Sequence, residues 1–273
     1  MLDNASTDGS AGTARNHPTV DRVIALDQRA GKGENDSTLL QQASGRYCLL
    51  LNEDAILEPG ASQALYDALE EHDDAAAAGA RLLRPGGKVQ ASAWRFPGIY
   101  AALATALFLH KWLTVQSRGA RTRTVDWAQS SALLVRRAAA EQINWLDPQF
   151  FVYSDEVDFC RRLKNAGWST LWVPSAAAVH HEQLSTAAIP EPRIVEFSRN
   201  RDRYMRKHHG ALTAGIVRIL TAWTYGARAA AALVLPGHSA RRYWRHVTAT
   251  LCPGESEGLR EAASDYNRGG PTL

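Results

Sequence analysis

With 273 residues, 45% of them apolar and 22% charged, the chain can bury a sizeable core and suits one large domain or one domain with an appendage. Its 31 Lys and Arg against 28 Asp and Glu leave a net charge of +3, which makes no case for nucleic-acid binding. Three scattered cysteines (Cys48, Cys160, Cys252), no secretion signal and an apolar stretch at 212–235 broken by Arg218 and Arg228 argue against a disulfide framework, a zinc pattern and a membrane span, so a cytoplasmic protein is expected.

The chain opens on "MLDNASTDGS", two strand-like residues running into a turn-forming segment rich in Asp, Asn, Ser and Gly. "VDRVIAL" reads as a strand, "GKGE" as a turn, and 36–43 as a helix stopping at Gly45. "RYCLLLN" is a buried-strand run, and "EPGASQALYDALEEH" a helix with Pro near its start. "AAAAGARLL" adds another strand. This alternation predicts an α/β fold with a mostly parallel sheet covered by helices.

The middle, 90–123, is less regular and holds a helical apolar run, "IYAALATALFLHKWL". "VDWAQSSALLVRR" reads as a strand. In "YSDEVDFCRRLKNAGW", Val157, Cys160 and Leu163 recur at helical spacing, and Gly167 sits where that helix stops. "STLWVPSAAAVHH" is a strand ending in two histidines, and a helix is expected from Pro192 through "RKHHG".

Three places could carry chemistry. Asn52, Glu53 and Asp54 end a buried strand, where α/β sheets bind ligands and where a carboxylate can hold Mg²⁺ or Mn²⁺; a solvated acidic turn is the plainer alternative. Asp155, Glu156 and Asp158 begin a helix, either as dipole partners or as the setting of a general base with a raised pKa. His180 and His181 end a strand and point to opposite faces.

Taken in order, "LDNASTDGS", "ASGRYCLLLNEDAILEPGA", "RLLRPGGKVQASAWRFP", "VDWAQSSALLVRR", "FFVYSDEVDFCRRLKNAGW", "VPSAAAVHH" and "RNRDRYMRKHHG" resemble the inverting family-2 glycosyltransferases of GT-A fold, nearest the rhamnosyltransferase-like branch. The resemblance implies a GT-A domain over residues 1–210 and leaves 211–273 as a helical extension. It implies transfer of a sugar, rhamnose by preference, from a nucleotide diphosphate to a hydroxyl of a saccharide or lipid-linked acceptor. Donor contacts fall on Asp3, Asn4, Ser6, Asp8, Asn52 and Asp54. The Mg²⁺ or Mn²⁺ falls on Asp54 and His180, the base on Glu156 with Asp155 beside it, and the acceptor side on Trp127 and Asp158. This chain departs from the family in having Asn52 for Asp, Asp-Glu for Glu-Asp, and Ser37 and Leu39 where Asn and Gly are usual.

Family members also carry a strand, a helix and a second strand ahead of the "DNASTDGS" turn, and only the last two residues of that second strand stand here. Two expectations follow: the true start lies upstream and the native protein is an ordinary transferase, or the product is a non-catalytic transferase-like protein that binds a partner. The tail supplies Leu212, Ile216, Leu220 and Trp223 on one helix face, followed by Arg241, Arg242 and Arg245. Peripheral contact with the inner face of the plasma membrane and packing against the main domain both fit that pattern.

Overall fold

A computed structural model describes residues 1–181 and 190–269. β1 (Leu2–Asp3) pairs in parallel with β2 (Ile24–Ala25) as a separate ribbon, with α1 (Ser10–Arg15) between them. The strand expected over "VDRVIAL" is therefore two residues long, because pairing extends only across from Leu2 and Asp3. The "GKGE" turn is instead the start of α2 (Lys32–Gln42). Phe151 O accepts the Lys32 amide, and an i,i+4 ion pair joins Lys32 to Asp36, so the first turn is held from outside and within.

β3 (Tyr47–Leu51), α3 (Ala61–Glu71) and β5 (Ala75–Leu83) follow as expected, with a short strand, β4 (Ala55–Leu57), between β3 and α3 that was not foreseen. After the β6 (Val89–Gln90) and β7 (Ala93–Trp94) segments, the apolar run forms two helices, not one: α4 (Ile99–Ala106) and α5 (His110–Leu113). They part at Phe108, whose φ of 60° takes it out of the right-handed helix. "VDWAQSSALLVRR" likewise divides into the end of β8 (Arg123–Val125), β9 (Trp127–Ala128) and β10 (Ala132–Arg136).

Next come α6 (Arg137–Gln142), α7 (Asp155–Asn165) and β11 (Ser169–His180). The chain ends in α8 (Pro190–Ala231), α9 (Ala240–Leu251) and α10 (Leu259–Asn267). The helix expected to end at "RKHHG" does break there, at Gly210, whose φ of 82° and ψ of 169° are not helical and suit only glycine; a second helical half of α8 runs on to Ala231.

The main sheet runs β3-β10-β5-β11-β4, with β6 on β5 and β8 on β11. It is mixed, not mostly parallel. Among the described residues, β5–β11 is the only parallel pairing of this sheet; β10 lies antiparallel between β3 and β5, and β4 antiparallel on β11. The long irregular stretch between β5 and β10 lets β10 enter from the opposite end, which a helix crossover would not. Among the described residues, β3 has no strand partner opposite β10, and β1 none opposite β2. α3 packs Leu65 and Leu69 on one face of the sheet, and Phe150, Phe159, Leu163 and Trp172 fill the other. No helix of the described residues is long and apolar enough to cross a membrane.

Candidate active site

Three chain segments converge where β3 and β11 finish and β10 begins. β10 runs antiparallel to β3, so Ser131, just ahead of it, meets the turn just after β3. There the Asn52 amide donates to Ser131 O at 3.1 Å and the Asn52 side chain to Ser131 Oγ at 3.3 Å. The same hydroxyl receives Gln129 Nε2 at 3.1 Å and lies 3.2 Å from His180 Nε2. His180 Nε2 also stands 3.3 Å from Asp54 Oδ1, and the other ring nitrogen lies 3.3 Å from Gln90 Oε1. The His181 amide donates to Asp54 O at 2.8 Å, pinning the turn to the end of β11.

Asp54, Ser131 and His180 are all buried. Groups so placed need partners, and Ser131 and His180 find theirs in one another and in Asn52, Gln129 and Gln90. Among the described residues no three His, Cys, Asp or Glu gather as a metal cage. A carboxylate oxygen beside an imidazole nitrogen is nevertheless a fitting donor pair for Mg²⁺ or Mn²⁺. Such ions commonly take one or two protein ligands and fill the remaining positions with water and phosphate oxygens.

The second group is built by α7. Tyr153 and Ser154 adopt left-handed φ values of 65° and 63° immediately ahead of Asp155, a costly pair of conformations for non-glycine residues. The first part of α8 holds that loop in place. Asn200 donates to Val152 O at 2.7 Å, Arg193 to Tyr153 Oη at 2.9 Å, and Arg203 to Gln149 O at 2.7 Å. Asp155 is 1% exposed, and neither carboxylate oxygen has a hydrogen bond of ordinary geometry. Burial, then the neighbouring Glu156, push its pKa well above the usual carboxylate range, while Lys32 pulls the other way. Glu156 is part-exposed beside it.

Asp158 does not reach an acceptor. It is fully buried, and its carboxylate receives Arg162 Nε, Lys207 Nζ and His208 Nε2, each at 2.7 Å. Burial works against ionisation, but His208, Lys207 and Arg162 outweigh it and hold its pKa below the ordinary value. It braces α7 against α8. Trp127 is half-buried, stacked on Trp94 at 4.6 Å between ring centres, with its indole N–H on Arg95 O.

The opening turn is also tied together. Asp3 is buried, with Oδ2 accepting the Ser6 amide at 3.0 Å. The Asn4 side chain both donates to Ala30 O and accepts from Ala30 N. Exposed Asp8 is occupied by the Ser10 amide and hydroxyl ahead of α1, and those bonds lower its pKa. α10 closes over this turn. Tyr266 Oη donates to Ala5 O at 3.1 Å, Arg29 lies 3.6 Å over the Tyr266 ring, and Asn267 bonds the Arg29 backbone twice.

Gln90, Gln129, Ser131, Lys32 and Asn200 were not foreseen. The polar triplet Gln129-Ser130-Ser131 inside an otherwise apolar strand run was a readable signal for the hub. Lys32 and Asn200 offered none, because basic and amide side chains in helices are ordinarily solvated.

Comparison with known proteins bears on the whole arrangement. The family model described as "Glycosyltransferase like family 2" matches residues 5–225. The N-acetylglucosaminyl-diphospho-decaprenol L-rhamnosyltransferase of Mycobacterium tuberculosis is 29% identical over 229 residues, which cover 77% of this chain and 74% of that protein. The mannosyltransferase PcManGT from Pyrobaculum calidifontis, solved with GDP-Man and Mn²⁺, superposes with a TM-score of 0.54 at 16% identity, over 98% of this chain and 76% of that one. GalNAc-T7, solved with UDP, GalNAc and Mn²⁺, gives 0.54 at 11% identity, over 99% of this chain and about half (51%) of its own. The last two likenesses are of fold.

Proposed function

The chain belongs to the glycosyltransferase-like family 2, and from that premise we propose that it moves a sugar, rhamnose by preference, from a nucleotide diphosphate to a hydroxyl of a saccharide or lipid-linked acceptor, inverting the anomeric carbon. The Mycobacterium tuberculosis relative, named for rhamnosyl transfer to a diphospho-decaprenol acceptor, supports the sugar and the acceptor class. The observation that carries the site is the buried Asp54–His180 contact at 3.3 Å, set on the Ser131 hub at the end of the sheet.

Glu156 takes the proton of the acceptor hydroxyl. The freed oxygen pair forms the new bond to the anomeric carbon as the bond to the phosphate oxygen breaks, and that electron pair leaves on the diphosphate. Asp155 lies buried beside Glu156, and burial and that neighbour raise the proton affinity of Asp155. Asp54 and His180 would hold a divalent ion, which supplies charge stabilisation to the departing diphosphate when bound. Asp3, Asn4, Ser6 and Asp8 form the donor's nucleoside side, with Asp3 oriented by the Ser6 amide. Trp127, on its stacked partner Trp94, offers the acceptor an aromatic wall. Asp158 is left to support. The protein works at the inner face of the plasma membrane, where lipid-linked acceptors lie.

The test is transfer from a panel of nucleotide sugars with Mg²⁺ or Mn²⁺, comparing the chain with Glu156→Gln. We expect kcat to fall by roughly 10²–10⁴-fold while donor binding persists. Unchanged turnover in the variant overturns the base assignment, and no transfer from any donor overturns the reading.

A further inference from the structure

Charge is segregated along the sequence. Residues 75–125 and 203–254 together hold sixteen Arg and Lys and no Asp or Glu, whereas the rest of the chain holds fifteen basic and 28 acidic residues. The fold brings parts of these two acid-free segments together. α4 packs on α8, with Gly98 next to His209 at one end and the Arg228 guanidinium 5.9 Å over the Phe108 ring at the other.

Both elements then turn large apolar side chains outward. Trp112 and Trp223 are 66% and 64% exposed, and Leu107, Leu113 and Ile219 expose half or more of themselves. Leu233 and Val234, just past α8, are more exposed still. Exposed Lys111, Arg118 and Arg121 flank the α5 side. Apolar surface of this extent marks an interaction site, and a water-soluble partner of ordinary composition gives no reason for the acid-free surround.

We propose that the outer face of α4–α5 and the second half of α8 is a docking surface for an anionic lipid bilayer. The two indoles and the leucines enter the headgroup boundary, and the surrounding Arg and Lys pair with lipid phosphates. The proposal deepens the lipid-linked acceptor reading by giving that acceptor's surface a place on the molecule. It differs from the tail expectation in resting on α5 as well as α8.

The experiment is flotation of the full chain with phosphatidylcholine vesicles, with and without phosphatidylglycerol. Phosphatidylglycerol should raise binding at least about tenfold, and Leu107→Ser/Trp112→Ser or Lys111→Glu/Arg121→Glu should cancel that gain. Equal binding to both vesicle types, or unchanged binding of the α5 variants when Arg241→Glu/Arg245→Glu abolishes it, overturns the proposal. So does a stable dimer in lipid-free sedimentation that both α5 variants dissociate, since the face would then belong to a second copy. Flotation needs no turnover, so loss of binding and loss of transfer are separate results.

A different observation concerns Lys32. Its ammonium is three-quarters buried and paired with Asp36, and α2 lies directly on the acidic loop: a Cβ on Gly33 would sit 3.4 Å from Asp155 Cβ and 3.1 Å from Phe150 O. We infer that Lys32 is a positioning residue, whose ammonium, steered by Asp36, is the counter-charge that keeps the Asp155–Glu156 pair poised to accept a proton. Among the described residues, Lys32, Asp36 and Glu156 are the charged groups whose fields act on Asp155. Burial disfavours the Lys32 charge, but Asp36, Asp155 and Glu156 together outweigh it and raise its pKa.

Carboxyl ¹³C NMR titration of the unliganded protein tests this without any assay of transfer. Lys32→Met should raise the pair's proton affinity about tenfold or more, Lys32→Arg should restore it, and Asp36→Asn should lower it. A pair that titrates identically in folded Lys32→Met overturns the inference. A shifted titration in a protein that transfers no sugar leaves it standing and removes the proposed reaction instead.

Discussion

The two halves of α8, parted at Gly210, are built to opposite rules. Over 190–209 its inward face buries Glu196, Asn200, Tyr204 and Met205 almost completely, and its charges are matched: Arg199 to Glu261, Arg206 to Asp202, Lys207 to Asp147 and Asp158. Over 211–231 no acidic residue occurs, and Leu212, Ile219 and Trp223 face outward. The division falls at Gly210. The first half is a clamp on the loop that presents Asp155 and Glu156, and polar atoms in a clamp must be satisfied internally. The second half buries Ala214, Val217 and Ala222 yet leaves Leu212, Ile219 and Trp223 outside, and an apolar outer face of that size marks an interaction site.

Breaking the clamp should have the largest effect. Asp158→Asn leaves Lys207, His208 and Arg162 crowded without their shared counter-charge, and unfolding should become easier by about 3–5 kcal/mol. Chemical denaturation measures this, and a cost below about 1 kcal/mol would mean the hub is dispensable.

Gly210→Ala tests the hinge between the halves. No atom lies within 4 Å of where a Cβ would stand, so the change isolates backbone strain at φ 82° from any clash. We expect a loss of roughly 1–3 kcal/mol, read from the same unfolding curves.

His246 probes how the outer half is held. It stacks on Tyr225 at 4.2 Å, and burial, then Arg201, Arg242 and Arg228, lower its pKa to about 4. The folded form therefore binds a proton more weakly than the unfolded chain. Its contribution is full above the ordinary histidine value of 6.5 and is lost as pH falls through the window from there to about 4. Because the ring is partly exposed, the loss is discounted to about 1 kcal/mol. His246→Phe keeps the stacking and should flatten stability against pH in that window.

Trp223→Ser should change least. A solvent-facing side chain removed from the outer half is expected to alter stability by less than about 0.5 kcal/mol. The same substitution at buried Tyr204 would be severe, so the pair of measurements expresses the contrast between the two halves of α8.

Much of this was legible along the chain. The runs "AAAAGARLL" and "STLWVPSAAAVHH" are mostly apolar and became buried strands, because a strand covered on both faces leaves little room for polar side chains, whereas "RYCLLLN" became a strand that buries only Leu50 fully. Asn52, Asp54 and His180 were singled out because they stand at the ends of such runs, and the fold brings them side by side. Strand direction was not legible, since β10 reads the same whichever way it enters the sheet.

The amino-acid sequence by itself determined which segments are helices and strands, where acidic groups end them, and which stretches hold no acid at all; periodicity and charge are local and survive in one dimension. Only the tertiary structure decided that Ser131 ties Asn52 to His180, that Asp158 is buried among Arg162, Lys207 and His208, and that α2, with Lys32, packs on the loop before Asp155. Those facts depend on residues tens to over a hundred positions apart being pressed together with water excluded, and it is that exclusion which sets what each charge can do.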